Sequence, residues 1–137
     1  MIEEARKELE QKVEVAAKNK GRDKKGLVFH YTDQIAARSI MSMRCGFASK
    51  GFNHPDGNYR PAGFYATRIP PWIPGWTQSD LRSVLYAKPK NQDVSYFVAL
   101  GDSGFRNMGV EEYKPGPRGS CVPVDPIYTG ANLMIPQ

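Results

Sequence analysis

His30 and Tyr65 are the side chains whose type and spacing point to chemistry. His30 follows the apolar run Leu27-Val28-Phe29 and precedes Tyr31-Thr32; about thirty residues later comes Ala62-Gly63-Phe64-Tyr65-Ala66-Thr67. Each segment reads as a short strand ending in polar or aromatic groups, and the first sets a histidine where an apolar run meets a helix start. Together they look like the two halves of a split binding site. Trp72 and Trp76 stand on the proline-rich stretch Ile69-Pro70-Pro71-Trp72-Ile73-Pro74-Gly75-Trp76, where they suggest an aromatic wall. Glu111, Glu112, Asp102 and Asp125 supply carboxylates further along. An aromatic clamp can position a flat leaving group and exclude water. A carboxylate beside a centre that gains positive charge stabilises the transition state more than the ground state.

These residues need elements to hold them. Ile2, Ala5, Leu9, Val13 and Ala16 recur at helical spacing among Glu and Lys, which predicts an amphipathic helix ending near Gly21. Residues 18–26 are rich in Lys and Gly and read as a linker or loop. After the His30 strand, Thr32 or Asp33 can cap a helix carrying Ile35, Ala36 and Ile40, with Gly46 where that helix should have stopped. Gly46 to Pro61 is turn-rich and reads as one long surface loop, with His54 exposed and inert within it. The three prolines between Ile69 and Trp76 remove donors and fix φ, so neither helix nor central strand fits there. Thr77 with Asp80 resembles a capping arrangement for a short helix carrying Leu81, Val84 and Leu85. Val94 to Leu100 reads as a buried strand, Gly101 to Gly119 as loop, Ser120 to Val124 as a strand and Asn132 to Ile135 as a closing strand.

At 137 residues the chain fits one domain able to bury a core without staples. Apolar content of 40% and charged content of 24% are ordinary for a soluble globular protein, and no apolar run approaches the ~18 residues a membrane span needs. The start MIEEARKELE lacks the apolar core of a secretory signal. Cys45 and Cys121 lie in no CxxC pair and have no His at ligand spacing, so both read as reduced thiols and no metal site is expected. The net charge of +5 is spread thinly: residues 1–25 hold 8 Lys and Arg against 6 Asp and Glu, and the rest 11 against 8. No basic stripe interleaved with aromatics marks a nucleic-acid reader.

The motifs resemble the two central strands of ADP-ribosyltransferases, in the histidine-tyrosine branch that includes poly-ADP-ribose polymerases and bacterial toxins of the diphtheria type, the H-Y-D group. Residues 26–135 carry the resemblance. It implies that His30 contacts the adenosine ribose of NAD, that Tyr31 holds the nicotinamide amide through its backbone, and that Tyr65, in the Gly-x-Tyr strand opened by Gly63, stacks on the nicotinamide ring. In polymerase-like members a second aromatic closes the sandwich about eleven positions further on, where Trp76 stands. Thr32 and Arg44 complete the expected NAD contacts, Arg44 by pairing a phosphate. Phe97-Val98-Ala99-Leu100-Gly101-Asp102 resembles a later core strand, and Cys121-Val122-Pro123-Val124-Asp125-Pro126 the strand that a glutamate opens in polymerase-like members. Gly119 and Ser120 occupy that glutamate's place here, so the acid falls to Glu111 or Glu112, with Asp102 next.

The resemblance implies an α+β fold of two small packed antiparallel sheets with short flanking helices and NAD in the cleft between the sheets. Residues 1–25 would be an N-terminal helix and linker, and residues 26–137 the catalytic domain. The implied activity is transfer of one ADP-ribose from NAD to a macromolecule, with nicotinamide released. Size suggests the detached tip of a polymorphic effector such as an Rhs-type protein, delivered between bacteria and acting in the recipient's cytoplasm. Its partners would be a target protein, for example of the translation machinery, and a cognate immunity protein, with a nucleic-acid target second and no membrane. An NAD glycohydrolase and a non-catalytic NAD or ADP-ribose binding module are the alternatives.

Overall fold

The computed structural model of the chain describes residues 2–86 and 92–137. Helix α1 (Ile2–Asn19) buries Leu9, Val13 and Ala17 along one stripe and leaves Ala5 exposed; the Ile2 side chain lies outside the described residues. A 3-10 turn, Lys24–Gly26, is capped by the Asp23 carboxylate and feeds β1 (Leu27–Thr32). Asp33 accepts a hydrogen bond from the Ala36 amide at 2.7 Å and so starts α2 (Gln34–Met43), which ends on Arg44 in the left-handed region, at φ 57°, ahead of Gly46.

The stretch expected as one long loop after α2 instead holds β2 (Cys45–Phe47) and a tight hairpin of β3 (Phe52–Asn53) and β4 (Tyr59–Arg60). Next come β5 (Gly63–Thr67), the irregular proline-rich stretch, and α3 (Gln78–Leu85), which opens with the Thr77–Asp80 capping box that the spacing predicts. Strand β6 (Tyr96–Gly101) follows. The segment 101–119, expected as loop, contains the hairpin of β7 (Arg106–Met108) and β8 (Glu111–Pro115). Glu-Glu-Tyr-Lys-Pro lacks an apolar alternation, and its strand is held by non-local pairing to β5. Strands β9 (Cys121–Pro123) and β10 (Pro126–Ala131) complete the chain; the closing strand expected at 132–135 is displaced to β10, and Ile135 makes an isolated bridge to Thr77.

Six strands form one antiparallel sheet in the order β10-β6-β1-β5-β8-β7, accompanied by two ribbons, β2 with β9 and β3 with β4. The α+β class and antiparallel pairing match expectation; in place of two small sheets, the described residues form one six-stranded sheet and two two-stranded ribbons. Strands β1 and β5 share a single pairing, Phe29 with Thr67. The sheet is therefore two three-stranded halves joined at one point and parted beyond it.

Alternation along β1 sends Phe29 and Tyr31 into one core and Val28 into another. The first core takes α1 through Leu9, Val13 and Ala17 and α3 through Leu81 and Leu85. Residues 1–25 thus share their core with the rest of the chain. The second core takes α2 through Ala37 and Ile40, together with Phe64, Val122 and Val124. No helix among the described residues is long and apolar enough to cross a membrane.

Cys45 and Cys121, expected as separate reduced thiols, form a disulfide. They lie 76 residues apart in sequence, which hides the pairing. Antiparallel pairing of β2 with β9 sets Phe47 opposite Cys121 and brings the two cysteine Cα atoms to 5.4 Å, inside the span of roughly 4.4–6.8 Å that a disulfide bridges.

Candidate functional site

The opening between β1 and β5 exposes backbone groups that a continuous sheet would hide. Gly26 accepts the Asp102 amide on the β6 side, so even-numbered residues of β1 turn their backbone groups toward β6 and odd-numbered ones toward β5. Phe29 uses that edge on Thr67. Tyr31, two residues on, faces the same way at a point where β5 has diverged. Tyr65, two residues before Thr67, faces back from the other wall.

The His30 ring spans the gap, its Nδ1–H donating to the Tyr65 carbonyl at 2.7 Å. A carbonyl only accepts, so Nδ1 carries the proton and Nε2 is the free nitrogen. Burial holds the His30 pKa below its ordinary value, which keeps the ring neutral at pH 7. The ring also lies 4.4 Å from that of Phe64. The Tyr31 amide and carbonyl are left facing the opening, and the Tyr86 hydroxyl reaches that carbonyl at 3.4 Å.

A cleft of about 640 Å³ occupies the opening, lined by His30, Tyr31, Tyr65, Phe52, Tyr86 and Glu111 among others. A second cavity of about 460 Å³ lies toward α2, bordered by Asp33, Ile35, Ser39 and Ile40. His30, Phe47 and Phe64 line both, so the two form adjoining compartments separated by the histidine.

Tyr65 is held by three contacts. Its ring lies 5.4 Å from Phe52 and 5.3 Å from Tyr113, and its hydroxyl donates to the Pro61 carbonyl at 2.5 Å. Gly63 is required two residues earlier: a Cβ there would stand 2.7 Å from both the Lys114 carbonyl oxygen and the Tyr113 ring. The Gly-x-Tyr spacing is thus a packing condition for pressing β5 against β8.

Only one of the four candidate carboxylates lines the cleft. Strand β8 runs beside β5 with Glu111 opposite Thr67 and Glu112 opposite Ala66, so the two glutamates point to opposite faces. Glu111 lines the cleft and is buried; its Oε1 accepts from Arg60 Nε at 3.0 Å and lies 3.2 Å from His54 Nε2. Burial pushes its pKa up while Arg60 pulls it back.

Glu112, also buried, accepts from Asn107 at 2.6 Å and from Arg68 at 3.3 Å, away from the cleft. Asp102 pairs with Arg68, and Asp125 pairs with Arg22 and Arg44. The strand beginning at Cys121, expected to follow the acid, belongs to the ribbon with β2; the strand beside Tyr65 is β8.

Several other expected contacts are not brought to the cleft lining. Trp76 packs against the first core, and the Trp72 and Phe29 rings meet in a T-shaped pair with centroids 5.4 Å apart. Arg44 is exposed with its guanidinium on Asp125 at 3.3 Å, and Thr32 ends β1 opposite Tyr96. His54, expected to be exposed, is 5% exposed. Phe47, Phe52 and Tyr86 line the cleft without having been expected there. The two phenylalanines lie within the turn-rich segment 46–61 ahead of β5, large apolar side chains in an otherwise polar stretch; nothing local distinguishes Tyr86.

Among the described residues, no group of three or more His, Cys, Asp or Glu side chains could hold a metal ion. No protein-family model, curated protein or solved structure matches this chain.

Proposed function

We propose that this protein is an ADP-ribosyltransferase of the histidine-tyrosine branch, with the fold of that family. It cleaves NAD at the nicotinamide-ribose bond and transfers a single ADP-ribose to a macromolecule. The observation that carries this reading is the cleft at the parted strands β1 and β5, ringed by His30, Tyr65 and the buried Glu111 and adjoined across His30 by a second cavity. A dinucleotide has two such ends.

In this reading the Tyr65 ring stacks on nicotinamide, whose carboxamide takes the outward-facing Tyr31 amide and carbonyl. Both partners of that exchange are donor and acceptor, so the pairing is complementary. The free His30 Nε2 accepts from a hydroxyl of the adenosine ribose, and Phe47 with Ile35 and Ile40 borders the compartment for adenine. Glu111 takes the role of the acid, and Glu112 that of a structural ion-pair partner for Arg68.

As the glycosidic bond breaks, its electron pair leaves with the nicotinamide nitrogen and positive charge spreads over the ribose C1′ and ring oxygen. Glu111 stabilises that charge. A nucleophile of the acceptor then bonds to C1′ and loses its proton. The acceptor is a protein of a recipient cell, and an immunity protein in the producer covers the cleft.

The test incubates the purified protein with labelled NAD and bacterial lysate, alongside His30→Ala, Tyr65→Ala and Glu111→Gln. Label on discrete bands that all three substitutions abolish, with Glu111→Gln lowering turnover by about a hundredfold or more, supports the transferase. Loss of NAD without label means that water is the acceptor. NAD binding without turnover in the folded wild type overturns the enzymatic reading.

A further inference from the structure

The β3–β4 hairpin grips Glu111 with two side chains. Arg60 Nε donates to Glu111 Oε1 at 3.0 Å, and Arg60 Nη2 donates to the Asp56 carboxylate at 2.6 Å. His54 completes a closed circuit: its Nδ1 accepts the Asp56 amide at 3.1 Å, and its Nε2 stands 3.2 Å from the same Glu111 oxygen. Three of the four members lie within seven consecutive residues, 54–60, that make no core of their own. All four residues are among those described, and His54 and Glu111 are nearly sealed from solvent.

The His54 ring has a defined tautomer. Nδ1 lies 3.3 Å from the Asp56 carboxylate but takes its well-formed hydrogen bond from the Asp56 amide, so the neutral ring carries its proton on Nε2. That N–H is buried and faces the Glu111 carboxylate, with the Leu85 backbone carbonyl also beside the ring, yet it makes no well-formed hydrogen bond to either. A buried unpaired donor is costly, and in a native structure it calls for a reason. Here the acceptor is already within reach, and a small rotation of the Glu111 carboxylate or the imidazole closes the bond. Hydrogen bonds to catalytic groups are often misaligned without substrate and tighten in the complex.

We propose that His54 is a positioning residue for Glu111, donating from Nε2 to Oε1 once a substrate engages the carboxylate. This rests on the reading of Glu111 as the group beside the ribose. A bond that forms in the complex and tightens as positive charge develops on the ribose lowers the barrier more than it strengthens ground-state binding. It also favours the ionised carboxylate, working with Arg60 against the penalty of burial. Holding Oε1 from two sides fixes the carboxylate plane while both grips act on one oxygen.

The experiment measures NAD consumption by the whole chain, with bacterial lysate supplying the acceptor and lysate alone subtracted, for wild type, Glu111→Gln, His54→Ala and His54→Gln, with kcat and KM separated and melting temperatures recorded. The His54→Ala variant is expected to lose about ten- to a hundredfold in kcat, with KM for NAD unchanged within about threefold. His54→Gln returns a side-chain N–H donor and is expected to recover most of the loss.

Unchanged kcat in His54→Ala while Glu111→Gln is inert overturns the role of His54 alone. Equal losses in both His54 variants, accompanied by a fall in melting temperature, show a packing residue and overturn it as well. Full activity in Glu111→Gln, or a folded wild type that does not consume NAD, overturns the reading of the site and this role with it. Should His54→Ala fail to fold, the imidazole N–H signal decides. In ¹⁵N-labelled wild type it is expected to move downfield when NAD binds and to stay put in Glu111→Gln; no movement in wild type overturns the role.

Discussion

Burial and Arg60 act on Glu111 in opposite directions, burial raising its pKa and the guanidinium lowering it, with burial the larger. Under the proposed function Glu111 acts as the anion, so turnover is expected to be lost as pH falls through its pKa in the fold, above the ordinary carboxylate value of 4.5. Replacing Arg60 by Gln removes the opposing cation and is expected to push the acid limb of the kcat/KM profile to still higher pH. A pH–rate profile of the two proteins checks this, and an unmoved limb means that Glu111 is not the titrating group. His30 and Tyr65 were legible in the sequence because each sits in a short local pattern, an apolar run into a helix start and a Gly-x-Tyr strand. Glu111 could be narrowed only to a pair, because one residue of register decides which glutamate faces the cleft and that register comes from β5. His54 was misread for a related reason: its Pro-Asp-Gly turn is a surface signature, whereas its burial comes from Arg60 and Glu111 closing over it.

The element that makes the cleft possible is the joint between the two halves of the sheet, and Arg68 holds it. Standing just past β5, its guanidinium donates to the Lys25 and Leu27 carbonyls on one side of the joint and reaches Asp102 at 2.9 Å and Glu112 at 3.3 Å. One side chain thus ties β1 and the end of β6 to β5 and β8, where the ladder supplies a single pairing. The guanidinium is partly exposed, so the ion pairs contribute little and the backbone carbonyls more. Arg68→Ala is expected to cost about 1–2 kcal/mol and to weaken NAD binding by loosening the walls. Denaturant melts and calorimetry measure the two effects, and hydrogen exchange at the Phe29 amide reports the joint itself. Unaltered exchange there would show that the Phe29–Thr67 pairing suffices. The helices were legible because caps are local: Asp33 and the Thr77–Asp80 box lie within the segments they start. The β7–β8 hairpin was not, since two adjacent glutamates at a strand start find their stabilisation only in Arg60 and Arg68, distant in sequence.

Across the molecule, acid and reductant should act on stability through separate groups. His30 and His54 both have pKa values held below 6.5, chiefly by burial. Between those lowered values and 6.5 the unfolded chain binds more protons than the fold. Stability is therefore full above about pH 6.5 and lost on acidification below it. Melting temperature is expected to fall between about pH 7.5 and about pH 5.5, and the fall should shrink in His54→Gln. The disulfide belongs to the other axis. Cys45–Cys121 closes a loop with a sequence separation of 76, and its removal is expected to cost about 2–4 kcal/mol, chiefly by freeing the unfolded chain. It also joins β9 to β2, the ribbon strand that carries Phe47 into both compartments of the site. Reduction should therefore lower the melting temperature and, while the protein remains folded, weaken NAD binding through a looser Phe47. Melts and calorimetric titrations with NAD, each with and without dithiothreitol and repeated on Cys45→Ser/Cys121→Ser, separate the two effects. A lowered melting temperature with unchanged affinity would mean that the β2–β9 pairing alone positions Phe47. Equal melting temperatures would show that the cross-link adds nothing to a ribbon already anchored by Val122 and Val124 in the second core.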